Sequence, residues 1–381
     1  MLQRLIRGEN VYFYSIFWMF CLLEIGLWNY YDGSTEIRDV FPADIHTPLS
    51  YGLIHGQHIV PRSTQGYEIG DRNFSREIWK FPTPEMEKIY LYKKLLTKEH
   101  SFNCTNLKVF RNELQDGMGA YFKKYFIIDQ QNTPANHTFK FGNRKNSPKL
   151  QISEDIHKLL PKNSTSETIP RCSVVGNSGS ILNTKCGKDI DKADFVFRCN
   201  AAPIRLFATD AGYKSNLTTF NPSILSKRYK RISNAKSLSR FVMDMKRYHG
   251  YLWTPCYTIS GLQKCIKILK VYNLTENTFV MGHPGHFPKV QAFWNSRGFT
   301  GRLSSGFYLV NVALTRCSEL HLYGFWPFPK EVDKHIKEVP YHYFENMKFT
   351  TGRHDMNFEF SVLLQLHLHG VLKLHAGECD L

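Results

Sequence analysis

From Cys172 onwards, short apolar runs alternate with stretches of helical spacing, and no other feature of the sequence limits the fold as strongly. Short apolar runs fit buried strands, whereas apolar residues at intervals of three and four fit helices. Strands that alternate with helices predict an α/β domain with a largely parallel sheet flanked by helices. We expect strands at Cys172–Val175, Phe195–Phe197, Leu217–Phe220, Phe241–Met243, Tyr251–Trp253, Phe279–Met281 and Leu320–Tyr323, and helices at Gly261–Val271, Lys289–Arg297 and Gly306–Ala313.

The chain begins with an apolar run that is long enough to cross a membrane. Val11–Trp28 approaches the ~20 residues that a membrane-spanning helix needs. Because Arg4 and Arg7 precede the run, the positive-inside tendency places residues 1–10 in the cytosol and the rest of the chain in the lumen. We therefore expect residues 11–31 to form a transmembrane signal anchor. A cleaved signal peptide is the alternative, but no small-x-small cleavage site follows the run closely.

Residues 32–77 follow the anchor and contain Gly, Pro, Ser, Thr and His without sustained periodicity, which predicts a stem. A single folded domain, long enough to bury a substantial core, is expected over 78–381. It starts with a helix over Pro82–Lys98, where proline lies at the start and apolar residues recur at helical spacing. Residues 99–170 are polar and irregular, with one strand expected at Tyr125–Ile128.

The nine cysteines are widely spaced, and none belongs to a Cys-x-x-Cys pair of the kind found in zinc ribbons and redox sites. Such spacing fits long-range disulfides in an oxidising compartment. The odd number leaves at least one thiol free. Six Asn-x-Ser/Thr sequons agree with a lumenal domain, and any that carry a glycan must lie at the surface. They are Asn73, Asn103, Asn136, Asn163, Asn216 and Asn273.

The formal net charge of +16 predicts an anionic partner. Nucleic acid, an anionic membrane surface and an acidic glycan or small molecule would each satisfy this condition. The basic residues are scattered through the chain, which disfavours a dedicated nucleic-acid arm. The anchor and the sequons also disfavour a nucleic-acid partner. We therefore expect no nucleic-acid partner.

Polar residues that suit ligand binding follow several of the expected strands, at the edge where open α/β sheets bind their ligands. Three of them are asparagines, Asn177, Asn200 and Asn221. Arg302–Gly306 opens a helix with hydroxyls and backbone N–H groups, a suitable seat for phosphate. His342 and His354 lie in polar sequence and can act as acid or base near neutral pH. Phosphate binding combined with a base suggests a donor activated by a nucleotide.

Four segments resemble the sialylmotifs of eukaryotic sialyltransferases, in the order in which that family has them. Cys172–Asn200 resembles the large motif, with Cys-Ser-Val-Val-Gly-Asn-Ser-Gly at its start and Phe-Arg-Cys-Asn at its end. Arg302–Phe328 is similar to the small motif, Tyr341–Glu345 to the third and His354–Glu359 to the very small motif. The sequence departs from the usual pattern at three places. Ser305 replaces threonine, Phe344 replaces tyrosine, and Ser178-Gly179-Ser180 has a polar residue where the α2,8 branch of the family more often has an apolar one. None of these departures removes a catalytic group.

The resemblance implies a Rossmann-like domain that transfers sialic acid from CMP-sialic acid with inversion, using no metal and no other cofactor. Asn177 and Asn200 would then contact the nucleotide and the sialic acid. His342 would hydrogen-bond the departing phosphate, and His354 would take the proton from the acceptor hydroxyl. The other donor contacts would come from Ser304, Ser305 and Gly306, which would hold ribose, phosphate or carboxylate, and from Trp326, which would line the pocket.

The same resemblance implies two disulfides, one between Cys172 and Cys317 and one between Cys186 and Cys379. We expect Cys199 to be a buried free thiol. Three cysteines stay unassigned, and a further disulfide among them is left open; they are Cys104, Cys256 and Cys265.

Two segments, Asn221–Ser223 and Tyr323–Phe328, are more typical of the α2,8 branch of the family than of the α2,3 or α2,6 branches. The implied acceptor is the 8-hydroxyl of a terminal sialic acid on a glycolipid or glycoprotein, at a Golgi membrane and in single-pass type II orientation. An α2,3 or α2,6 linkage is one alternative, and a catalytically silent member that acts as a partner subunit is another. A ganglioside and an O- or N-glycan both remain open as acceptors. A homodimer is compatible with this organisation.

Some residues also have plainer interpretations. Asp189-Ile190-Asp191 has the Asp-x-Asp form of a metal site, but it lies at an expected helix start, which disfavours a metal role. Trp326 also fits a core position. Three late histidines lack a suitably spaced cysteine or acidic partner, so a solvated or packed segment is favoured over a zinc site. They are His367, His369 and His375.

Overall fold

The computed structural model describes residues 83–142, 144–163, 168–272, 277–332, 335–345 and 354–379. The expected cytosolic tail, anchor and stem lie outside these ranges, as do the first residues of the domain and the sequons at Asn73 and Asn273. Within the described ranges, no helix has both the length and the apolar character needed to cross a membrane.

The described residues form eleven helices and eleven strands. The helices are α1 (Pro84–Leu96), α2 (Cys104–Met118), α3 (Glu154–Leu159), α4 (Gly187–Asp191), α5 (Ala208–Ala211), α6 (Pro222–Lys227), α7 (Ala235–Met245), α8 (Ile259–Val271), α9 (His286–Asn295), α10 (Ser305–Leu314) and α11 (Met356–Leu368). The strands are β1 (Thr138–Lys140), β2 (Lys149–Gln151), β3 (Ile169–Val175), β4 (Phe195–Arg198), β5 (Leu217–Thr219), β6 (Gly250–Pro255), β7 (Asn277–Gly282), β8 (Cys317–Tyr323), β9 (Lys330–Val332), β10 (Ile336–Glu338) and β11 (Lys373–Leu374). Short 3₁₀ turns occur at Gly119–Tyr121, Gly179–Ile181, Arg205–Phe207 and Lys230–Ile232.

Seven strands form the central sheet in the order β11-β8-β3-β4-β5-β6-β7, and each neighbouring pair is parallel. The chain builds outward from β3 to β7 and then returns to the opposite side of β3 as β8. The strand order therefore reverses between β3 and β8. A crevice opens at the carboxyl ends of the strands at such a switch point. The predicted α/β domain with a largely parallel sheet is confirmed.

Helices cover both faces of this sheet. Successive residues of a strand point to opposite faces, and neighbouring residues of β6 accordingly pack against different helices. Trp253 of β6 belongs to the same buried cluster as α10, whereas the preceding Leu252 packs with residues of α7 and α8. From Phe307 to Leu314, every residue of α10 is buried. A helix that is apolar on all sides must lie in the core, and α10 therefore holds its N-terminus rigidly beneath the crevice.

The expected helices at the start of the domain and at 261–271, 289–297 and 306–313 are confirmed as α1, α8, α9 and α10, with shifted ends. The strand expected at Phe241–Met243 is wrong, because this segment lies within α7. Leu238, Phe241 and Met245 are buried at helical spacing, and Asn234 forms a capping box with Ser237 at the start of the helix. The capping box and the helical spacing of the buried residues favour a helix more strongly than the short apolar run favours a strand.

Residues 99–170 are more regular than expected. They contain α2, whose first turn is capped by the Asn103 side chain, and the antiparallel pair β1–β2. The strand expected at Tyr125–Ile128 is replaced by a single antiparallel bridge between Ile127 and Gly282. The polar outer face of α2 conceals its buried stripe, which includes Phe110 and Leu114.

The two implied disulfides, Cys172–Cys317 and Cys186–Cys379, are present. The first joins the neighbouring strands β3 and β8 beside the switch point. A third disulfide, Cys256–Cys265, links the end of β6 to α8. The two described cysteines that remain free are buried Cys199 and exposed Cys104.

The four described sequons occupy different surroundings. Asn103, Asn136 and Asn163 are exposed. Asn216 is half-buried, and its side-chain oxygen accepts a hydrogen bond from the backbone N–H of Val196 at 2.9 Å. Because Asn216 is less exposed, the other three fit the requirement for surface placement better.

Candidate active site

The loops that follow β3 and β8 are fastened together at the switch point. The Gly176 N–H donates to Tyr323 O at 2.7 Å, and the Ser178 hydroxyl donates to Trp326 O at 2.8 Å. A Cβ atom on Gly176 would lie 2.4 Å from the carbonyl oxygen of Gly324. Because that oxygen belongs to the backbone, only glycine permits so close an approach. The two loops therefore form one rigid wall.

A cavity of ≈180 Å³ opens beside this wall, and we call it the switch-point cavity. It brings together residues from both halves of the sheet and from the N-termini of α10 and α11. All eight residues predicted to bind the donor or to perform catalysis line it: Asn177, Asn200, Ser304, Ser305, Gly306, Trp326, His342 and His354.

Two asparagines reach the cavity from adjacent strands. Asn177 follows β3, and its side-chain amide makes no hydrogen bond within the described part of the chain, so it is available to a ligand. Asn200 follows β4 in the left-handed conformation with φ 62°, which asparagine tolerates better than most residues. The side-chain oxygen of Asn200 accepts the N–H of Asn221 at 3.1 Å. Asn200 therefore also shapes the loop.

The N-terminus of α10 supplies hydroxyls and backbone N–H groups to the cavity floor. Ser304 caps the helix by accepting the N–H of Phe307 at 3.1 Å. The Ser305 hydroxyl donates to the side-chain oxygen of Asn221 at 2.9 Å. Gly306 lines the cavity in the first turn, where a Cβ atom would come within 3.1 Å of the Phe325 ring. The positive end of the helix dipole and the backbone N–H groups of the first turn suit an anionic group such as phosphate.

Glu359 of α11 fixes this N-terminus, a role that the sequence analysis did not assign. Its carboxylate accepts the Ser304 N–H at 2.6 Å and the Ser304 hydroxyl at 2.5 Å. Glu359 is buried, and burial raises its pKa to about 7 although the hydrogen bonds from Ser304 act in the opposite direction. The signal in the sequence is the spacing from His354 to Glu359, which places both residues at the start of one helix.

We expect Glu359 to make stability depend on pH. Because the pKa of Glu359 is higher in the folded chain than its ordinary value of 4.5, its stabilising effect is complete below that value and is lost as the pH rises through about 7. Relative to Glu359→Gln, the wild type should lose up to about 3 kcal/mol of unfolding free energy between pH 5 and pH 8. Urea denaturation at both pH values measures this difference. Glu87→Gln, at an exposed position of α1, is the control and should show the same pH dependence as the wild type. If Glu359→Gln also loses as much unfolding free energy between pH 5 and pH 8 as the wild type does, the assignment is contradicted.

A hydrogen bond fixes which nitrogen of the His354 ring carries the proton. Its Nδ1 lies 2.6 Å from the carbonyl oxygen of Arg302. A carbonyl can only accept, so Nδ1 carries the proton and Nε2 keeps its lone pair in the neutral ring. This is the tautomer that a general base requires. The hydrogen bond also ties the start of α11 to the segment that opens α10.

His342 has a carboxylate partner instead. Its Nδ1 is hydrogen-bonded to Glu345 Oε1, and its ring stacks on Phe344 with centroids 5.2 Å apart. Phe344, which replaces the usual tyrosine, therefore orients His342 by its ring face. With Nδ1 donating to Glu345, Nε2 can donate to an oxyanion when the ring is doubly protonated. This geometry is compatible with the phosphate contact that the resemblance implies for His342.

Trp326 combines the two roles considered for it. Its side chain is only 4% exposed, its ring packs against Phe328 and Phe360, and its indole N–H donates to Lys330 O. One edge nevertheless borders the cavity. Cys199 also borders it as a buried thiol, and burial raises its pKa to about 12. A thiol with so high a pKa is inert as a nucleophile at neutral pH.

The Asp-x-Asp segment lies outside the cavity and holds the fold. Asp189 accepts hydrogen bonds from Tyr323 at 2.6 Å and Arg171 at 3.1 Å, and Asp191 accepts backbone N–H groups of residues 213 and 214. The late histidines are packed as well. His375 lies 3.0 Å from a ring nitrogen of His321, the ring nitrogen of His367 accepts the N–H of Leu374, and His369 bonds Gln365 O.

Comparisons with known proteins agree with this geometry. The sequence profile described as glycosyltransferase family 29 (sialyltransferase) matches residues 126–371. Alpha-2,8-sialyltransferase 8F of Mus musculus is 35% identical over 266 residues, which is 67% of this chain and 65% of that protein. Alpha-N-acetylneuraminide alpha-2,8-sialyltransferase of Xenopus tropicalis is 35% identical over 295 residues, which is 73% of this chain and 80% of that protein. The chain thus spans a little under two thirds of the mouse relative.

Among solved structures, a crystal structure of a mammalian sialyltransferase is similar, with 22% identity and a TM-score of 0.42 over 77% of this chain and 86% of that one. The family profile covers more than half of the chain, and the Xenopus tropicalis relative is matched along most of its length. The profile and this relative place the chain in glycosyltransferase family 29, the sialyltransferase family.

Proposed function

We propose that this chain transfers sialic acid from CMP-sialic acid to the 8-hydroxyl of a terminal sialic acid, with inversion and without a metal. The observation that carries the proposal is the switch-point cavity, in which a histidine with a free Nε2 faces donors that suit a phosphate. The two relatives named above are both described as alpha-2,8-sialyltransferases, which favours this linkage over α2,3 or α2,6.

The reaction needs one bond to form and one to break at the anomeric carbon C2 of the donor sugar. The acceptor oxygen O8 attacks C2, while the bond from C2 to the phosphate oxygen breaks. His354 Nε2 takes the proton from O8. The charge that develops on the departing CMP is stabilised by His342 and by the backbone N–H groups in the first turn of α10. Attack on the face opposite the phosphate inverts the configuration.

The charge balance of the cavity supports chemistry without a metal. Among the described residues that line it, Glu359 is the only carboxylate, and both of its oxygens are engaged by Ser304. Divalent cations that assist phosphate departure prefer carboxylate oxygens. The histidine and the backbone N–H groups at the start of α10 can stabilise the developing charge instead. An assay in the presence of a chelator should therefore give the same rate.

The proposed location is a Golgi membrane, in single-pass type II orientation, with the domain in the lumen. The apolar run over 11–31, the preceding arginines and the exposed sequons support it. Three disulfides in the described part of the chain also fit an oxidising compartment. The acceptor is a sialylated glycolipid or glycoprotein.

The proposal is tested with the full chain in detergent, CMP-sialic acid and a panel of sialylated gangliosides and O- and N-glycans. We expect CMP release that depends on the acceptor, with mass spectrometry showing the addition of sialic acid. A protein that releases no CMP with any sialylated acceptor would be a silent family member.

Asn177→Ala should raise the KM for CMP-sialic acid by about 10- to 100-fold, because a hydrogen bond to a charged ligand contributes about 1.5–3 kcal/mol. The amide of Asn177 has no described partner in the protein, so its loss should leave the folding stability nearly unchanged. Asn357→Ala, at an exposed position of α11, is the matched control. Initial rates at varied donor concentration measure the effect, and equal KM values for both variants would remove Asn177 from the donor site.

A further inference from the structure

A second and larger cavity, of ≈490 Å³, adjoins the switch-point cavity along the same edge of the sheet. It lies beyond the ends of β5 and β6, where Thr219, Trp253 and Pro255 reach its wall. Asn221, Ser305 and His354 line both cavities. The base that was assigned above therefore stands at the border between two spaces, and a reactant in the second cavity could place a hydroxyl beside it.

The second cavity has the charge of an anion-binding site. Lys264 and Arg302 contribute side chains to its wall, and no described residue in that wall is an aspartate or a glutamate. The Lys264 side chain is half-buried and makes no ion pair among the described residues. The Arg302 guanidinium lies 5.7 Å from the centre of the Phe287 ring, also without a described acidic partner. Arg302 is exposed and Lys264 is half-buried, and two cations on one cavity wall without a described acidic partner favour an anionic ligand.

The wall around the cations is rigid and suits a sugar. The disulfide Cys256–Cys265 closes the segment that carries Lys264 against the end of β6. The Tyr257 ring packs at a tilt against the Phe287 ring, with centroids 4.9 Å apart. These rings offer an apolar surface, while the hydroxyl of Ser260 lies at the start of α8 on the cavity wall. A mixture of aromatic faces, hydroxyls and cations matches an acidic sugar better than a neutral one.

We infer that the second cavity binds the terminal sialic acid of the acceptor, and that Lys264 and Arg302 recognise its carboxylate. This inference rests on the proposed function, because it assumes transfer to a sialylated acceptor. It assigns the preference for an acidic acceptor to two side chains that lie across His354 from the donor. Recognition of the acceptor carboxylate should therefore depend on these two side chains, and recognition of the donor carboxylate should not.

The test compares a sialyl-lactoside with its C1 amide as acceptors for the full chain. For the wild type, the amide should have a KM about 10- to 100-fold higher, because it lacks the charge that the two cations pair with. In Lys264→Gln and Arg302→Gln, the KM for the sialyl-lactoside should rise by a similar factor, and the preference over the amide should shrink. Lys264→Arg keeps the charge and should recover most of the preference. The KM for CMP-sialic acid, measured at saturating acceptor, separates the acceptor effect from a general loss of fold.

Lys270→Gln is the matched control, since Lys270 is exposed on the same helix and lies outside the cavity wall. It should retain both acceptor KM values. If Lys264→Gln and Arg302→Gln keep the wild-type preference for the sialyl-lactoside, the inference is wrong while the proposed function stands. If the wild type transfers to neither acceptor nor to any sialylated glycan, the proposed function itself fails.

Discussion

Replacing His354 with glutamine is expected to lower kcat by about 10²- to 10⁴-fold, the contribution of a positioned general base. Glutamine can still donate to the Arg302 carbonyl that His354 Nδ1 approaches at 2.6 Å, so the start of α11 should keep its place. It has no lone pair that can take a proton at neutral pH. The loss should therefore fall on turnover, with the KM for CMP-sialic acid changed by only a small factor.

Initial rates over a range of donor and acceptor concentrations separate these parameters, and far-UV circular dichroism checks the fold. His249→Gln, at an exposed position beyond α7, should behave as the wild type does. A variant at His354 that kept its kcat, or that lost only donor affinity, would assign the proton to another group.

Removing the disulfide between Cys172 and Cys317 should have a large effect on stability. The two half-cystines are 145 residues apart in the sequence. In the chain-entropy account, closing so long a loop stabilises the folded state by about 5 kcal/mol. Cys172→Ser with Cys317→Ser should therefore lower the unfolding free energy by about that amount. The bridge lies between β3 and β8, so activity should fall together with stability.

Cys256→Ser with Cys265→Ser is the matched comparison, because that pair is equally buried but only 9 residues apart. The same account gives about 3 kcal/mol for this short loop. Chemical denaturation of both double variants, beside the wild type, measures the two losses. A smaller loss for the long loop than for the short one would show that loop closure does not govern these bridges.

The sequence predicted the sheet and the site well because both depend on local signals. Short apolar runs marked six of the eight expected strands, and the residues after them converge on one cavity because parallel strands end at one edge. Phe241–Met243 was mistaken for a strand, since three apolar residues in a row cannot reveal a helix whose capping box lies seven residues earlier.

Other features depend on contacts between distant segments. The bond from Ser304 to Glu359 crosses 55 residues of chain, and the spacing from His354 to Glu359 alone does not say what the carboxylate meets. The second cavity is formed by segments from β5, α8 and α10, and Lys264 carries no motif that would distinguish it from other exposed lysines. The disulfide Cys256–Cys265 likewise depends on the packing of α8 against the end of β6.

The linkage in the product is the most direct test of the central claim. The full chain would be incubated with CMP-sialic acid and an acceptor that ends in sialic acid, and the product would be examined by permethylation analysis and NMR. We expect the new sialic acid to be joined through C2 to O8 of the acceptor sialic acid. A new sialic acid found on galactose, through an α2,3 or α2,6 bond, would contradict the account.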